Sequence, residues 1–142
     1  MKQLDFNPQY LDLEITESVA MYNMEEAVTK LHKLRGIGIK LALDDFGTGY
    51  SSLNYLRKFP IDQLKIDRSF INDLLKNKQN EIIVKSIISI AQSLGMLVIA
   101  EGVETKEQVE FLRSQNCDIA QGYYFSPPVP INEIEKILKN SL

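Results

Sequence analysis

Glu14, Asp44, Asp45, Lys65, Asp67, Glu101 and Gln121 each stand in or at the end of a short apolar run. Glu14 falls within "LDLEIT", Asp44 and Asp45 close "IKLALDD", and Lys65 and Asp67 close "DQLKID". Glu101 closes "MLVIAE", and Gln121 interrupts "DIAQGYYF". One acidic residue in such a place ordinarily caps the next helix or turns the chain. Five runs ending alike point to a shared site. Carboxylates brought together repel unless protonated or neutralised, and hard divalent cations with oxygen ligands neutralise them best. The adjacent Asp44 and Asp45 can serve two ions, and two ions about 3.5–4 Å apart are the usual clamp for in-line attack on a phosphodiester. Lys65 adds a fixed positive charge beside the attacking water or a phosphate oxygen. By themselves, then, the residues suggest metal-assisted hydrolysis of a phosphate ester, with Mg²⁺ or Mn²⁺ as the metal.

The elements that must carry these groups alternate in type. "LDLEIT" alternates apolar and polar residues as a strand does. Asn23 with Glu26 predicts a capping box, Ala27, Leu31 and Leu34 form a helical stripe, and Gly36 supplies its stop. "IKLALDD" is a second strand, followed by the glycine-bearing loop "FGTGYSS" and a short helix through Leu56. "DQLKID" is a third strand, and a long helix with Ile83, Ile87, Ala91 and Leu94 on one face ends at Gly95. "MLVIAE" is a fourth strand, and Thr105 with Gln108 caps a helix whose inner face holds Val109 and Leu112. "DIAQGYYF" is a fifth strand, "SPPVP" turns the chain, and "INEIEKILK" closes it as a helix. Five βα units mean a parallel sheet, either open and doubly wound or a section of a (β/α) barrel. In both architectures the C-terminal strand ends share the rim where ligands bind.

Bulk properties restrict the partners. The chain has 142 residues, 44% hydrophobic and 25% charged, the composition of one ordinary globular domain. A net charge of -3 gives no reason to expect bulk nucleic acid as a partner. Cys117 is the only cysteine, which excludes an intramolecular disulfide and a thiolate zinc cage and fits a reducing, cytoplasmic compartment. His32, the only histidine, reads as a surface residue of a helix. "MKQLDFNPQY" lacks the apolar stretch of a signal peptide, and "IIVKSIISIA" is too short to span a bilayer. No membrane contact is expected from this segment, which leaves any anchor to parts of a larger protein.

Two partial matches fail. "DFG" at Asp45 to Gly47 has neither the glycine-rich loop nor the HRD element of a protein kinase beside it. The Asp pair with a later lysine is reminiscent of receiver domains, but Lys65 precedes Ile66, not the proline expected there. Taken together, "LDLEITES", "LALDDFGTGYSSL", "LKIDRSFI", "VIAEGVET" and "QGYYFSPPVP" resemble the successive signature blocks of the EAL domain family. These are bacterial phosphodiesterases that cut cyclic di-GMP to linear pGpG. The resemblance implies that Glu14 is a metal ligand, that Asp44 is shared between two Mg²⁺ or Mn²⁺ ions, and that Asp45 serves the second. It places Lys65 by the nucleophilic water and Glu101 in the metal shell. Glu17 resembles the residue that pins the "FGTGYSS" loop, and Glu104 and Gln121 match further polar positions. The loop itself, with Phe46, Gly47, Thr48 and Gly49, resembles the segment that couples substrate and dimer contacts to metal geometry.

The sequence also departs from the family. The Glu-Ala-Leu tripeptide is absent, as is the following segment with a metal-binding asparagine and a phosphate-facing arginine. The expectation is one truncated domain over residues 1–142, a partial TIM-type barrel of about five strands that begins at the family's fourth. Such an arc needs a partner: the missing N-terminal half of the barrel, or a second copy. Two functions stay open. One is a fragment of a cyclic di-GMP phosphodiesterase, impaired or inactive alone; the other is a non-catalytic module for protein–protein interaction or nucleotide sensing.

Overall fold

The computed structural model describes residues 6–47 and 56–141. A 3₁₀ turn at Pro8–Tyr10 leads into β1 (Asp12–Thr16), α1 (Glu17–Tyr22) and α2 (Met24–Gly36). β2 (Lys40–Phe46) and β3 (Gln63–Ile66) follow, then α3 (Arg68–Asn72) and α4 (Lys78–Ser93). β4 (Leu97–Ala100), α5 (Lys106–Ser114), β5 (Ile119–Ala120) and α6 (Ile131–Ser141) complete the described elements. The strands form one sheet in the order β1-β2-β3-β4-β5, and every pair is parallel. The expected parallel α/β architecture of five strands is what the chain adopts.

The inner strands are largely buried, and in β3 the apolar Leu64 and Ile66 alternate with the buried polar Gln63 and Lys65. Leu41, Leu43, Leu64, Ile66 and Val98 are fully buried, and Ile71, Leu74, Val84, Ile88, Ala91 and Leu112 pack around them. Edge strand β1 alternates instead: Leu13 and Ile15 are partly buried, while Asp12 and Glu14 are exposed. Two aspartates sew the sheet at its other end. Asp62, just before β3, accepts a hydrogen bond from Leu41 N (3.0 Å) and pairs with Arg35 (2.8 Å). Asp118, just before β5, accepts one from Val98 N at 2.9 Å. Each strand that enters after an aspartate thus ties up an N–H of the strand already beside it.

Four local expectations need correction. The fifth strand ends at Ala120, not Phe125, because Gly122 turns against the backbone of Val103. Phe125 N then donates to Gly122 O at 3.0 Å, closing a turn in place of the extended run. The stop of α2 is Gly38, with φ of +95°, and not Gly36, which is still helical; only Gly38 takes the left-handed backbone. Asn23 makes no side-chain cap to the helix backbone, since its amide donates to the Glu26 carboxylate at 2.7 Å. On α4 the buried face is Val84, Ile87, Ile88 and Ala91, which leaves Ile83 at the rim. The Thr105–Gln108 capping box forms in full, and His32 is exposed. The loop expected over Phe46–Ser52 and the short helix after it lie largely outside the described residues, as do Thr48 and Gly49. No helix among the described residues is long and apolar enough to cross a membrane.

Cys117 lies just before β5, partly buried, with its thiol directed at Val98 O (3.6 Å) and Ile119 O (3.4 Å). Burial, more than any neighbour, pushes the thiol from 9.0 up to about 11. At pH 8 the thiolate fraction should therefore be about 100-fold below that of an unperturbed cysteine. Labelling with a thiol-specific reagent should be slowed by that order in the folded chain and return to ordinary rates in denaturant. Equal rates in the two states would show that the thiol is not held as described.

Candidate active site

Lys65 is the centre of the rim. It sits in β3, its side chain is 7% exposed, and three strands around it each send a carboxylate to its ammonium. Glu14 Oε2 of β1 lies at 2.7 Å, Asp44 Oδ1 of β2 at 3.3 Å, and Glu101 Oε1, just past β4, at 2.7 Å. Parallel pairing produces this convergence: Lys65 is in register with Ile99, Leu43 with Leu64, and Thr16 with Asp44. Burial works to lower the lysine's pKa, but the hydrogen bonds it donates to Glu101 and Glu14 outweigh it. The charges of Glu101 and Asp44 add to them, and the ammonium is held above the usual lysine range.

A β-bulge gives the site its second acidic group. Between Leu43 and Phe46 the register of β2 against β3 shifts, since three residue steps on β2 match two on β3. The residues inside the shift are Asp44 and Asp45. Asp45 takes φ of +55°, a left-handed conformation rare outside glycine, and its N–H donates to Asp44 Oδ1 at 3.0 Å. Two neighbours that a regular strand would send to opposite faces are thereby both kept at the rim. Partial burial raises the Asp45 carboxyl, helped by the charges of Asp44 and Asp67 and by a hydrogen bond with Asp67. Asp67 caps α3, accepting from Ser69 N at 2.9 Å. Burial acts to raise Asp67, but its hydrogen bonds from Ser69 and Arg68 prevail and lower it.

Glu17, at the start of α1, is 2% exposed and reaches across to accept from Gly47 N at 3.1 Å. Its Oε1 has no hydrogen-bond partner among the described residues. Gly47, with φ of +99°, has its Cα against the Phe70 ring, so this end of the loop is held from two sides. Phe46 is buried at the close of β2. The Glu104 side chain is exposed, and Gln121 engages the sheet through its backbone, N–H to Ala100 O (2.8 Å) and carbonyl to Val103 N (3.0 Å).

As a donor set the cluster is all oxygen and hard, which is the chemistry Mg²⁺ or Mn²⁺ requires. Among the described residues no group of three or more His, Cys, Asp or Glu side chains is arranged to hold a metal ion. The ammonium is the cation that Glu14, Asp44 and Glu101 share. Sequence reasoning missed the bulge, the Asp62 and Asp118 stitches, and the contact of Gln108 with α3 described below. Of these only Gln108 carried a signal, as the last residue of the capping box.

A parallel βα arc with carboxylates and a lysine on its C-terminal rim is the frame of part of a TIM-barrel-like domain. The EAL domain family model matches residues 1–128, and the chain belongs to that family. It is 48% identical over 130 residues to the cyclic di-GMP phosphodiesterase NbdA of Pseudomonas aeruginosa, a match covering 92% of this chain and 17% of that protein. Against the solved cyclic di-GMP complex of the PaMucR phosphodiesterase the TM-score is 0.87 at 41% identity, over 90% of this chain and 52% of that one. The manganese and cyclic di-GMP complex of Klebsiella pneumoniae BlrP1 matches with a TM-score of 0.80 at 36% identity, over 87% of this chain and 31% of that one. The chain thus spans about half of the solved PaMucR domain and less than a fifth of NbdA.

Proposed function

We propose that this chain supplies the lysine-bearing half of a metal-dependent phosphodiesterase domain that hydrolyses cyclic di-GMP to pGpG. The observation that carries the reading is the convergence of Glu14, Asp44 and Glu101 on Lys65 at the ends of consecutive parallel strands. Similarity to proteins named for that substrate supplies its identity.

Glu14, Asp44, Asp45 and Glu101 would hold two divalent cations, Mg²⁺ or Mn²⁺, which supply Lewis acidity and neutralise the phosphate. Lys65, anchored among the carboxylates, orients the attacking water and balances negative charge as it develops on phosphorus. Glu101 keeps the lysine protonated and accepts hydrogen bonds from the water. Glu17 holds the entry of the loop at Gly47, where substrate approaches. The missing half contributes the Glu-Ala-Leu glutamate, the asparagine and the arginine. The chain alone therefore turns over slowly or not at all. The reading carries with it a cytoplasmic location for the site.

The test mixes the chain with a polypeptide supplying the first three strands of a full-length relative and follows pGpG formation with Mn²⁺. Activity that appears only on mixing is the expected result, and robust turnover by the chain alone would contradict the role given to the missing ligands. Calorimetry should show weak Mn²⁺ binding that Asp44→Asn abolishes. Equal affinity in the two proteins would remove the carboxylates as ligands. If the pieces associate yet stay silent, the second reading, a non-catalytic interaction or sensing module, takes over. Its supporting observation is that the Lys65 ammonium already occupies the point on which Glu14, Asp44 and Glu101 converge.

Self-association belongs to the same proposal. Among the described residues β1 and β5 have strand neighbours on one side only, and Ile131, Ile134, Ile137 and Leu138 of α6 are exposed. Sedimentation should find dimers or larger species at micromolar concentration, and a stable monomer would count against it.

A further inference from the structure

β4 ends at Ala100, and the residues after it carry Glu101 off the sheet toward α5. The near end of this loop is fixed by strand-like pairing: Glu101 N donates to Ile66 O at 3.2 Å, and Val103 N to Gln121 O at 3.0 Å. The far end hangs on one side chain. Gln108, 6% exposed, accepts from Glu104 N (2.7 Å) and Thr105 N (3.0 Å) through its Oε1. Its Nε2 donates to Ile71 O of α3 at 2.8 Å, in a buried hydrogen bond. The loop meets α3 a second time at Gly102, where a Cβ would come within 2.7 Å of Arg68 Cβ.

Capping α5 explains only half of these contacts. A capping box needs an acceptor at this position, and glutamate serves as well as glutamine. The donor is what reaches another element, and that element is the short helix whose N-cap is Asp67. A carboxylate at 108 would set an oxygen against the Ile71 carbonyl, at a buried point where the clash is costly.

We propose that Gln108 is a positioning residue of the site: its amide ties the β4–α5 loop to α3 and so fixes Glu101 relative to Lys65 and Asp67. The proposal rests on the reading of Glu101 as a working residue, but its contact and its test are independent of metal and nucleotide. The variant Gln108→Glu separates the two roles, because it keeps both acceptor contacts of the cap and loses the donor. Thr105→Ala does the converse, removing the hydroxyl that accepts from Gln108 N (3.3 Å) while leaving the amide bridge.

Amide hydrogen exchange on the chain itself reads the outcome. Gln108→Glu should keep the protection of the Glu104 and Thr105 amides while Glu101 and Val103 exchange about tenfold faster, the loss of one buried hydrogen bond. Thr105→Ala should loosen α5 and leave Glu101 and Val103 as they were. Unchanged exchange at Glu101 and Val103 in Gln108→Glu, or equal loosening by both variants, would reduce Gln108 to a helix cap. If Gln108→Glu does not fold, the wild-type chain decides. Its Gln108 side-chain amide protons should be shielded from exchange, and exchange at the rate of an exposed glutamine overturns the proposal. A chain that makes no pGpG with its complement leaves this result standing, and a failed exchange test leaves the phosphodiesterase reading standing.

Discussion

Replacing Lys65 with methionine is expected to lower pGpG formation by the complemented domain at least about 10²–10³-fold, the usual cost of one preorganised electrostatic contact. The same substitution should destabilise the chain. Methionine fills the space of the lysine stem but leaves Glu14, Asp44 and Glu101 without the cation that brings them together. Removing one partner of a buried ion pair costs about 3–5 kcal/mol. The Glu14 side chain is 51% exposed and stays partly hydrated, which puts the expectation at the low end, about 3 kcal/mol. Added Mn²⁺ should recover part of that loss in the variant and do less for the wild type, because it competes there with the ammonium. Urea denaturation with and without the metal measures both. A Lys65→Met chain as stable as wild type, with no response to Mn²⁺, would mean that the carboxylates are held together by something other than this lysine.

Gly122→Ala should be the most damaging glycine-to-alanine change among the described residues. A Cβ there would sit 2.2 Å from Val103 O and 2.3 Å from Val103 N, and neither backbone atom can rotate away. Overpacking usually costs about 1–3 kcal/mol and more where the neighbour cannot yield, so a loss of about 3 kcal/mol or more is expected. The turn after β5 would lift from Val103, breaking its hydrogen bonds with Gln121 and Tyr124. Gly95→Ala is the control. Its φ of +74° strains any other residue, but there is open space where the Cβ would go. That variant should lose only about 1–2 kcal/mol. Chemical denaturation that ranks the two in the opposite order would refute the close approach at Gly122.

The sequence made the sheet readable because "LALDD", "LKID" and "VIAE" are short β-prone runs separated by helical stripes. Parallel order then follows from the length of the connections. The convergence of Glu14, Asp44 and Glu101 on Lys65 was readable for a related reason: polar groups in or just past consecutive parallel strands are brought to one rim. What was not readable depended on register. Nothing in "LALDDF" announces that β2 slips one residue against β3, and that slip is what keeps both Asp44 and Asp45 at the site. "DIAQGYYF" read as a strand because aromatic residues favour one. The close approach of Gly122 to Val103, a contact between residues nineteen positions apart, overrode that local preference. Gly36 was the helix stop expected on sequence, but it is still helical, and Gly38 two residues on takes the left-handed backbone.

The strand order has a consequence for how the chain is made. Because β1 to β5 lie side by side in the order in which they are translated, each strand emerging from the ribosome finds its inner neighbour already present. No described strand has to wait for one beyond its neighbour, although each pairing must close a whole crossover connection, the slow step of a parallel sheet. The ion cluster is the exception, since Glu14 must be kept until Glu101 arrives. The half-built sheet therefore carries Lys65 with only Glu14 and Asp44 for company until β4 is out, and the electrostatic closure of the rim comes late in synthesis.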